Sequence, residues 1–273
     1  MRVLLIADVH ANWDALLALQ RAESRPDAVL FAGDAVGYGP DPQNCVRWLL
    51  ANATAAVRGN HDAAVLAAPA ADAPAADALV ADAPAADAPA AVRSGSAASG
   101  VAANGHGAAG GLAELAEAAD ETLAYARRVL APEDLSGLAG WPASALVPLG
   151  DTSFFVVHGT PDDPLRGRID PATCPSAELE RLFAGVPRGV IVLGHSHVPA
   201  IRRLGDWLLI SPGSLGQPRW GAPDATYAVW EDGDVQIRHL HYDHDATIQK
   251  LRLAGLSGEA FDQLAAVLAT GLC

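Results

Sequence analysis

The sequence predicts an α/β fold that opens with a parallel sheet and adds a second, strand-rich half. Three observations carry this prediction. Strand-like and helix-like stretches alternate over residues 2–57. The strand-like runs there are continuously apolar rather than alternating, as in strands buried on both faces. Beyond residue 150, apolar and β-branched runs recur at short intervals.

In order, Arg2 to Ala7 is the first buried strand, with the apolar run Val-Leu-Leu-Ile-Ala. Asn12 to Glu23 reads as a helix, with Asn12 as its cap and Trp13, Leu16, Leu17 and Leu19 among its apolar positions. Ala28 to Ala32 is the second strand. Asp41 to Ala51 is helical, with Asp41 available as cap and Pro42 in the first turn. Thr54 to Val57 is a third, short strand. This order implies right-handed crossovers and a parallel sheet.

The middle changes character. Ala70 to Pro89 is nearly a five-residue Ala-Ala-Asp-Ala-Pro repeat, and 23 of the chain's 58 alanines fall in residues 51–100. Regular prolines prevent a continuous helix, and Ala, Asp and Pro bury too little apolar area to offset ordering entropy. Ser94 to Gly111 is rich in Gly, Ser and Ala, as in linkers. Residues 66–110 are therefore expected to be a disordered insertion within a single domain spanning 1–273.

Helical spacing returns over Leu112 to Leu130, and Pro132-Glu-Asp begins another helix. Ser153 to Val157, Val190 to Leu193, Trp207 to Ser211, Ala225 to Glu231 and Val235 to Tyr242 read as strands, the last two joined by an Asp232-Gly233 turn. Ala246 to Leu253 and Glu259 to Leu268 close the chain as helices.

Composition narrows the function. The chain has 273 residues, 51% of them hydrophobic, enough for a sizeable core. Its formal net charge is -14, so it is a poor candidate for binding long nucleic acid or an anionic membrane. An anionic substrate remains compatible with that charge, because cations reverse the sign of a site locally. The three cysteines, Cys45, Cys174 and Cys273, are widely spaced and odd in number, which predicts a reducing compartment without disulfides. Met1 to Asp8 is too short for a signal peptide, and no run reaches the ~18–20 apolar residues of a membrane span. A cytoplasmic protein is expected.

The polar residues of interest sit at strand ends. Asp8-Val-His10, Gly33-Asp34, Arg58-Gly-Asn60-His61-Asp62, His158-Gly159 and Gly194-His195-Ser-His197 each follow a predicted strand. The carboxyl ends of strands in an open α/β sheet converge on one crevice. Asp8, His10, Asp34, Asn60, His158, His195 and His197 therefore form a candidate metal site of carboxylate, imidazole and amide groups. Without thiolates, the set suits manganese, iron, zinc, cobalt or nickel. Each motif alone is weak, since Gly-Asp and Gly-Asn are common turn dipeptides. The fivefold repetition of one local plan is not.

These motifs, in this order, resemble the calcineurin-like metallophosphoesterases over nearly the whole chain except the insertion. The segments Gly33-Asp-Ala-Val-Gly-Tyr-Gly-Pro-Asp-Pro42 and Pro212-Gly-Ser-Leu-Gly-Gln-Pro-Arg219 are similar to a prokaryotic subfamily associated with phosphodiesterases and diadenosine tetraphosphatases. The resemblance implies a four-layer α/β/β/α sandwich with a dinuclear centre. One ion would be held by Asp8, His10, Asp34 and His197, and the other by Asp34, Asn60, His158 and His195, with Asp34 shared and manganese favoured. It implies in-line attack of a metal-bridging hydroxide on a small phosphodiester or phosphomonoester, the diester being favoured. His61 would donate a proton to the leaving oxygen, and Arg58, Asn60 and Arg219 would contact substrate. A phosphoprotein or dinucleoside-polyphosphate phosphatase is the alternative within enzymes. A catalytically silent scaffold, like the retromer subunit of this fold, is the alternative outside them, but the full ligand set argues against it.

One departure stands out. In the Ser/Thr protein phosphatase branch an Asp-Arg pair follows the metal-binding Gly-Asp, the Asp orienting the histidine and the Arg binding phosphate. Here those positions are Gly37 and Tyr38. Asp62 is the candidate for a partial replacement of the orienting carboxylate. His239-Leu-His241-Tyr-Asp-His244 has tempting metal spacing but lies at a strand-to-helix handover, where a structural role is expected. Trp141, Trp207 and Trp230 are expected in the core or its rim, and Trp220 beside Arg219 is a candidate substrate contact.

Overall fold

The computed structural model describes residues 1–23, 25–67, 92–94 and 108–272. The strands are β1 (Arg2–Ile6), β2 (Ala28–Phe31), β3 (Ala55–Ala56), β4 (Val92–Ser94), β5 (Ser144–Leu149), β6 (Thr152–Val157), β7 (Gly189–Leu193), β8 (Pro199–Leu204), β9 (Trp207–Pro212), β10 (Ala225–Glu231) and β11 (Asp234–Leu240). The helices are α1 (Trp13–Ala22), α2 (Pro42–Asn52), α3 (Asn60–Ala67), α4 (Ala108–Val129), α5 (Pro132–Gly140), α6 (Ser176–Phe183), α7 (His244–Leu251) and α8 (Gly258–Thr270).

The strands form two mixed sheets. The first has the order β3-β2-β1-β10-β11-β4 and the second the order β5-β6-β7-β9-β8. β3, β2 and β1 run parallel, as do β6, β7 and β9. Alternation along each strand separates three cores. Val3 and Leu5 of β1 point into the space between the sheets, where they meet Leu30, Phe154, Val156, Val192, Ile210 and Trp230. Leu4 and Ile6 point the other way, onto Leu16 and Leu19 of α1 and Val46 and Leu49 of α2. On the outer face of the second sheet, Ile191 and Leu209 pack against Leu179, Leu182 and Phe183 of α6. The result is helix, sheet, sheet, helix: the four-layer sandwich. Each such side chain, fully buried, contributes about 1.5–3 kcal/mol.

Caps follow the sequence unevenly. Asn12 Oδ1 accepts the Ala15 N–H at 3.0 Å, as expected of a helix cap. Asp41 precedes α2 but makes no side-chain capping bond. Its carboxylate instead accepts from Lys250 Nζ at 3.1 Å, tying α2 to α7. Most of the expected insertion, residues 66–110, lies outside the described residues, as does His106. The described parts of that span belong to the end of α3, to β4, which pairs antiparallel with β11, and to the start of α4. Among the described residues, no helix is long and apolar enough to cross a membrane. Cys45 and Cys174 are free thiols. Trp141 packs on Phe31 and Trp230 on Phe154, with ring centroids 5.5 and 5.4 Å apart.

Candidate metal centre

Five strands deliver the seven candidate ligands. Asp8 and His10 follow β1, Asp34 follows β2, and Asn60 opens α3 just beyond β3. His158 follows β6, and His195 and His197 follow β7, so both sheets contribute. All seven come together at the carboxyl ends of the parallel strands. Asp8, His10, Asp34, His158 and His197 are buried, while Asn60 and His195 are partly exposed and mark the open side.

Three overlapping groups of potential ligand atoms meet: Asp8, His10 and His197 form one, Asp34, His158 and His195 form another, and His10, Asp34 and His61 link the two. His197 Nε2 is 3.4 Å from Asp8 Oδ1, and His158 Nε2 is 3.0 Å from Asn60 Oδ1. Asp34 lies between the groups: its Oδ2 is 3.7 Å from His10 Nε2 and 3.3 Å from His158 Nε2. That is the position of a shared carboxylate.

The surroundings fix which nitrogen faces the centre. His10 Nδ1 donates to Val36 O at 3.0 Å, His197 Nδ1 to Gln217 O at 2.6 Å and His158 Nδ1 to Ala32 O at 2.8 Å. A carbonyl only accepts, so each Nδ1 carries the proton and each Nε2 is left for the centre. His10 and His197 are held well below the usual histidine pKa, chiefly by burial, so both are neutral. Their Nε2 lone pairs then face one another at 3.1 Å. Two lone pairs so placed repel unless a cation lies between them, so the donor set fits divalent ions.

The carboxylates agree with this. Burial, opposed by His158 and reinforced by Asp34, pushes Asp8 up to about 8. Burial also raises Asp34, but His158 and His61 outweigh it and hold Asp34 well below the usual range. Burial disfavours the charge on His158, yet Asp34 and Asp8 outweigh it and raise the imidazole to about 9. Cations bound here would compete with protons at Asp8 and His158.

Backbone strain concentrates at the same place. Asp8, His10, Asp34, His195 and His197 all have positive φ, between 45° and 67°. Non-glycine residues hold such angles at a cost of about 1 kcal/mol or more, typically at functional sites.

His61, the expected proton donor, is 7% exposed and donates its backbone N–H to Asp34 Oδ1 at 2.9 Å. Its Nδ1 is buried and has no hydrogen-bond partner among the described residues. The expected replacement of the orienting carboxylate by Asp62 is corrected here. Asp62 accepts the backbone N–H groups of Asp34, Ala35, Val36 and Gly59 and makes no bond to the His61 ring. Its oxygens are saturated by the loop that carries Asp34. Tyr38 lies against His61 instead, with ring centroids 4.6 Å apart, and also against His10 at 4.8 Å.

Arg219 stands at the edge of the centre. Its guanidinium donates to Gln217 Oε1, with the Nε bond at 3.1 Å, and lies 5.5 Å from the Tyr38 ring centroid. Its charge reaches His10, His61 and His197, where it disfavours protonation. Arg58 follows β3; its backbone N–H donates to Pro142 O at 2.9 Å, and its Nε is buried without a partner among the described residues. Trp220 packs on His239, centroids 4.6 Å apart, with Nε1 donating to Asp224 O. His241 Nδ1 is 3.3 Å from Asp224 Oδ1. Among the described residues, neither histidine joins a potential metal cluster. Sequence spacing did not single out Tyr38, Gln217 or the backbone role of Asp62 as parts of this site, because each acts through packing or main-chain contacts.

Comparison with known proteins agrees with this geometry. A family model described as the calcineurin-like phosphoesterase superfamily domain matches residues 1–233. An uncharacterized protein of Methanocaldococcus jannaschii is 25% identical over 260 residues, covering 89% of this chain and 88% of that protein. The crystal structure of a metallophosphoesterase from Sphaerobacter thermophilus superposes with a TM-score of 0.71 at 27% identity, covering 97% of this chain and 98% of that one. A hypothetical protein from Pyrococcus horikoshii shares the fold, with a TM-score of 0.72 at 18% identity over 99% of this chain and 98% of its own.

Proposed function

The chain belongs to the calcineurin-like phosphoesterase superfamily, and from that premise we propose that it is a metal-dependent phosphoester hydrolase with two divalent ions, acting on a small phosphodiester or phosphomonoester. The observation that carries this reading is the place of Asp34 Oδ2, within 3.7 Å of His10 Nε2 on one side and 3.3 Å of His158 Nε2 on the other. Asp8, His10, Asp34 and His197 would hold one ion, and Asp34, Asn60, His158 and His195 the other. Manganese is favoured, and iron, zinc, cobalt and nickel also suit the set. When bound, the pair supplies a water of lowered pKa as nucleophile and offsets charge developing on the phosphoryl oxygens.

The chain's own residues do the rest. His61 holds the proton destined for the leaving oxygen; burial lowers the pKa of its imidazole, so the negative charge of a bound phosphate must help to keep it protonated. Arg219 and Arg58 bind the phosphoryl group, because a guanidinium matches two of its oxygens. The partly exposed Asn60 and His195 mark where substrate enters, and the buried walls exclude water from the other sides. A diester is the favoured substrate class and a dinucleoside polyphosphate an alternative.

The test is hydrolysis of bis-p-nitrophenyl phosphate and p-nitrophenyl phosphate by protein stripped of metal and reloaded with each ion in turn. Turnover that requires metal and disappears in Asp34→Asn supports the reading, and the preferred ester separates diesterase from monoesterase. Absence of turnover with every ion, while two ions still bind, would favour a narrow-specificity enzyme or the scaffold reading.

A further inference from the structure

His61 has the place of a proton donor but none of the usual means of aiming one. A catalytic imidazole is ordinarily held by a hydrogen bond from its far nitrogen, and here Nδ1 is buried with no partner among the described residues. Gly37 accounts for part of this. It has φ of 86°, and a Cβ there would run into His61 Nδ1 and lie 3.1 Å from Cγ. The ring therefore occupies the space a side chain at position 37 would need. Two aromatic rings pack against it, Tyr38 at 4.6 Å and His10 at 4.9 Å between centroids, while the Asp34 carboxylate comes within 4.8 Å of a ring nitrogen and the Asp120 carboxylate acts on it through its charge alone.

Tyr38 is itself placed with unusual firmness. It has φ of 59°, a strained angle for a bulky residue. Its backbone N–H donates to Thr122 Oγ1 at 2.9 Å, and that hydroxyl is anchored in α4 by the Ala118 and Ala119 carbonyls. Leu115, Ala118 and Leu264 belong to the apolar cluster that includes the tyrosine. The same ring carries the Arg219 guanidinium, 5.5 Å from its centroid. One side chain thus touches a candidate ligand, the candidate proton donor and the candidate phosphate binder.

We infer that Tyr38 is a positioning residue: by ring packing it aims His61, and with it Arg219, at the leaving-group side of the centre, in place of an orienting carboxylate. This inference rests on the proposed function, since it presumes that His61 protonates the leaving oxygen. A hydrogen bond fixes an imidazole by direction, whereas packing fixes it by shape. Shape survives loss of the hydroxyl but not loss of the ring.

The experiment compares two aryl esters of the preferred class, with p-nitrophenol or phenol as leaving group. The proteins are manganese-loaded wild type, Tyr38→Leu, Tyr38→Phe, Thr122→Val and His61→Ala. A positioned acid contributes about 10²–10⁴-fold, mostly where the leaving group is poor. Tyr38→Leu is expected to lose about 10-fold or more in kcat on the phenyl ester and less than about 3-fold on the p-nitrophenyl ester, with two ions still bound. Tyr38→Phe is expected to restore most of that loss. Thr122→Val, the milder variant should Tyr38→Leu not fold, is expected to shift in the same direction by less. Equal losses on both esters in Tyr38→Leu, or a Tyr38→Phe as impaired as Tyr38→Leu, overturn the inference while His61→Ala still discriminates. If His61→Ala does not discriminate between the esters, the acid assignment itself fails and the inference falls with it.

Discussion

The backbone N–H of Asp34 donates to Asp62 Oδ2 at 2.9 Å, so the carboxylate lying between the two ligand groups is held in register by a second carboxylate. Asp62 also accepts from Ala35 at 2.8 Å and Gly59 at 3.0 Å, which stitches the loop after β2 to the turn before α3. Removing it would orphan several buried N–H groups at about 1–3 kcal/mol each. Asp62→Ala is expected to lower stability by at least about 3 kcal/mol and metal affinity by about 10–100-fold. Asp62→Asn, with one acceptor oxygen in place of two, is expected to fall between. Denaturant titration and metal competition assays measure the two effects.

Gly59 tests the same loop from the other side. A Cβ there would overlap Asp34 Oδ1 and approach its Cγ at 2.6 Å. Gly59→Ala is expected to fold but to push the shared carboxylate out of place. Elemental analysis would then show fewer than two ions per chain, and kcat/KM would fall by about 100-fold or more. Two ions and normal turnover in Gly59→Ala would contradict the role given to Asp34.

Metal removal has a thermal signature. Ions that bind the folded chain alone, at 100 times their dissociation constant, stabilise it by about 2.7 kcal/mol. In a chain of this size each kcal/mol moves Tm by about 2–4 °C. That stabilisation is for one ion, so chelation is expected to lower Tm by about 5–10 °C for each ion removed. The shift should shrink in Asp34→Asn, which lacks the anion shared by both sites.

Acid sensitivity should arise far from the centre, at Glu23. Its buried carboxylate accepts from Tyr227 Oη at 2.7 Å and pairs with both Arg2 and Arg238. Burial pushes its pKa up, but the Arg2 and Tyr227 hydrogen bonds and the Arg238 charge outweigh it and hold it below the usual value. A depressed carboxylate contributes stability above its unfolded pKa and loses it as pH falls through the folded one. The contribution is thus present above about pH 4.5 and fades below it. Denaturant midpoints measured from pH 6 to pH 3 should fall more steeply for wild type than for Glu23→Gln. Glu23→Ala is expected to cost about 2–3 kcal/mol at pH 7, less than a fully buried pair because both arginines reach solvent.

Much of this architecture was legible because the chemistry sits where continuous apolar runs stop. β1, β2, β6 and β7 announce themselves by Val, Leu, Ile and Phe, and the next polar residue is a ligand. The edge strands of the second sheet gave no such signal: β5 carries Pro148, and β8 carries the consecutive Arg202 and Arg203, one on each face. α3 was hidden because it opens on Asn60 directly after Gly59, which reads as a turn. The Asp41 carboxylate was expected at a helix cap 209 residues away in sequence from the Lys250 it meets. The Asp62 oxygens bind main-chain amides, which no residue spacing reveals. Tyr38 was visible only as a departure from a related pattern. Its contacts with His61, His10 and Arg219 required the folded chain.

The ligands come from both sheets, and that has a consequence for how the protein assembles. The His195 N–H donates to both oxygens of Asp8, at 3.2 and 3.1 Å, across a sequence separation of 187 residues. Closing a loop of that length carries an entropy cost of about 4–5 kcal/mol, on top of the similar closure the first sheet already makes where Arg2 of β1 pairs with Glu231 of β10. The centre then forms at the seam, late in folding. Ions bound there act as a clasp between two halves already built. Holding the clasp shut slows opening more than it speeds closing, so metal-loaded protein should owe its durability to a low unfolding rate.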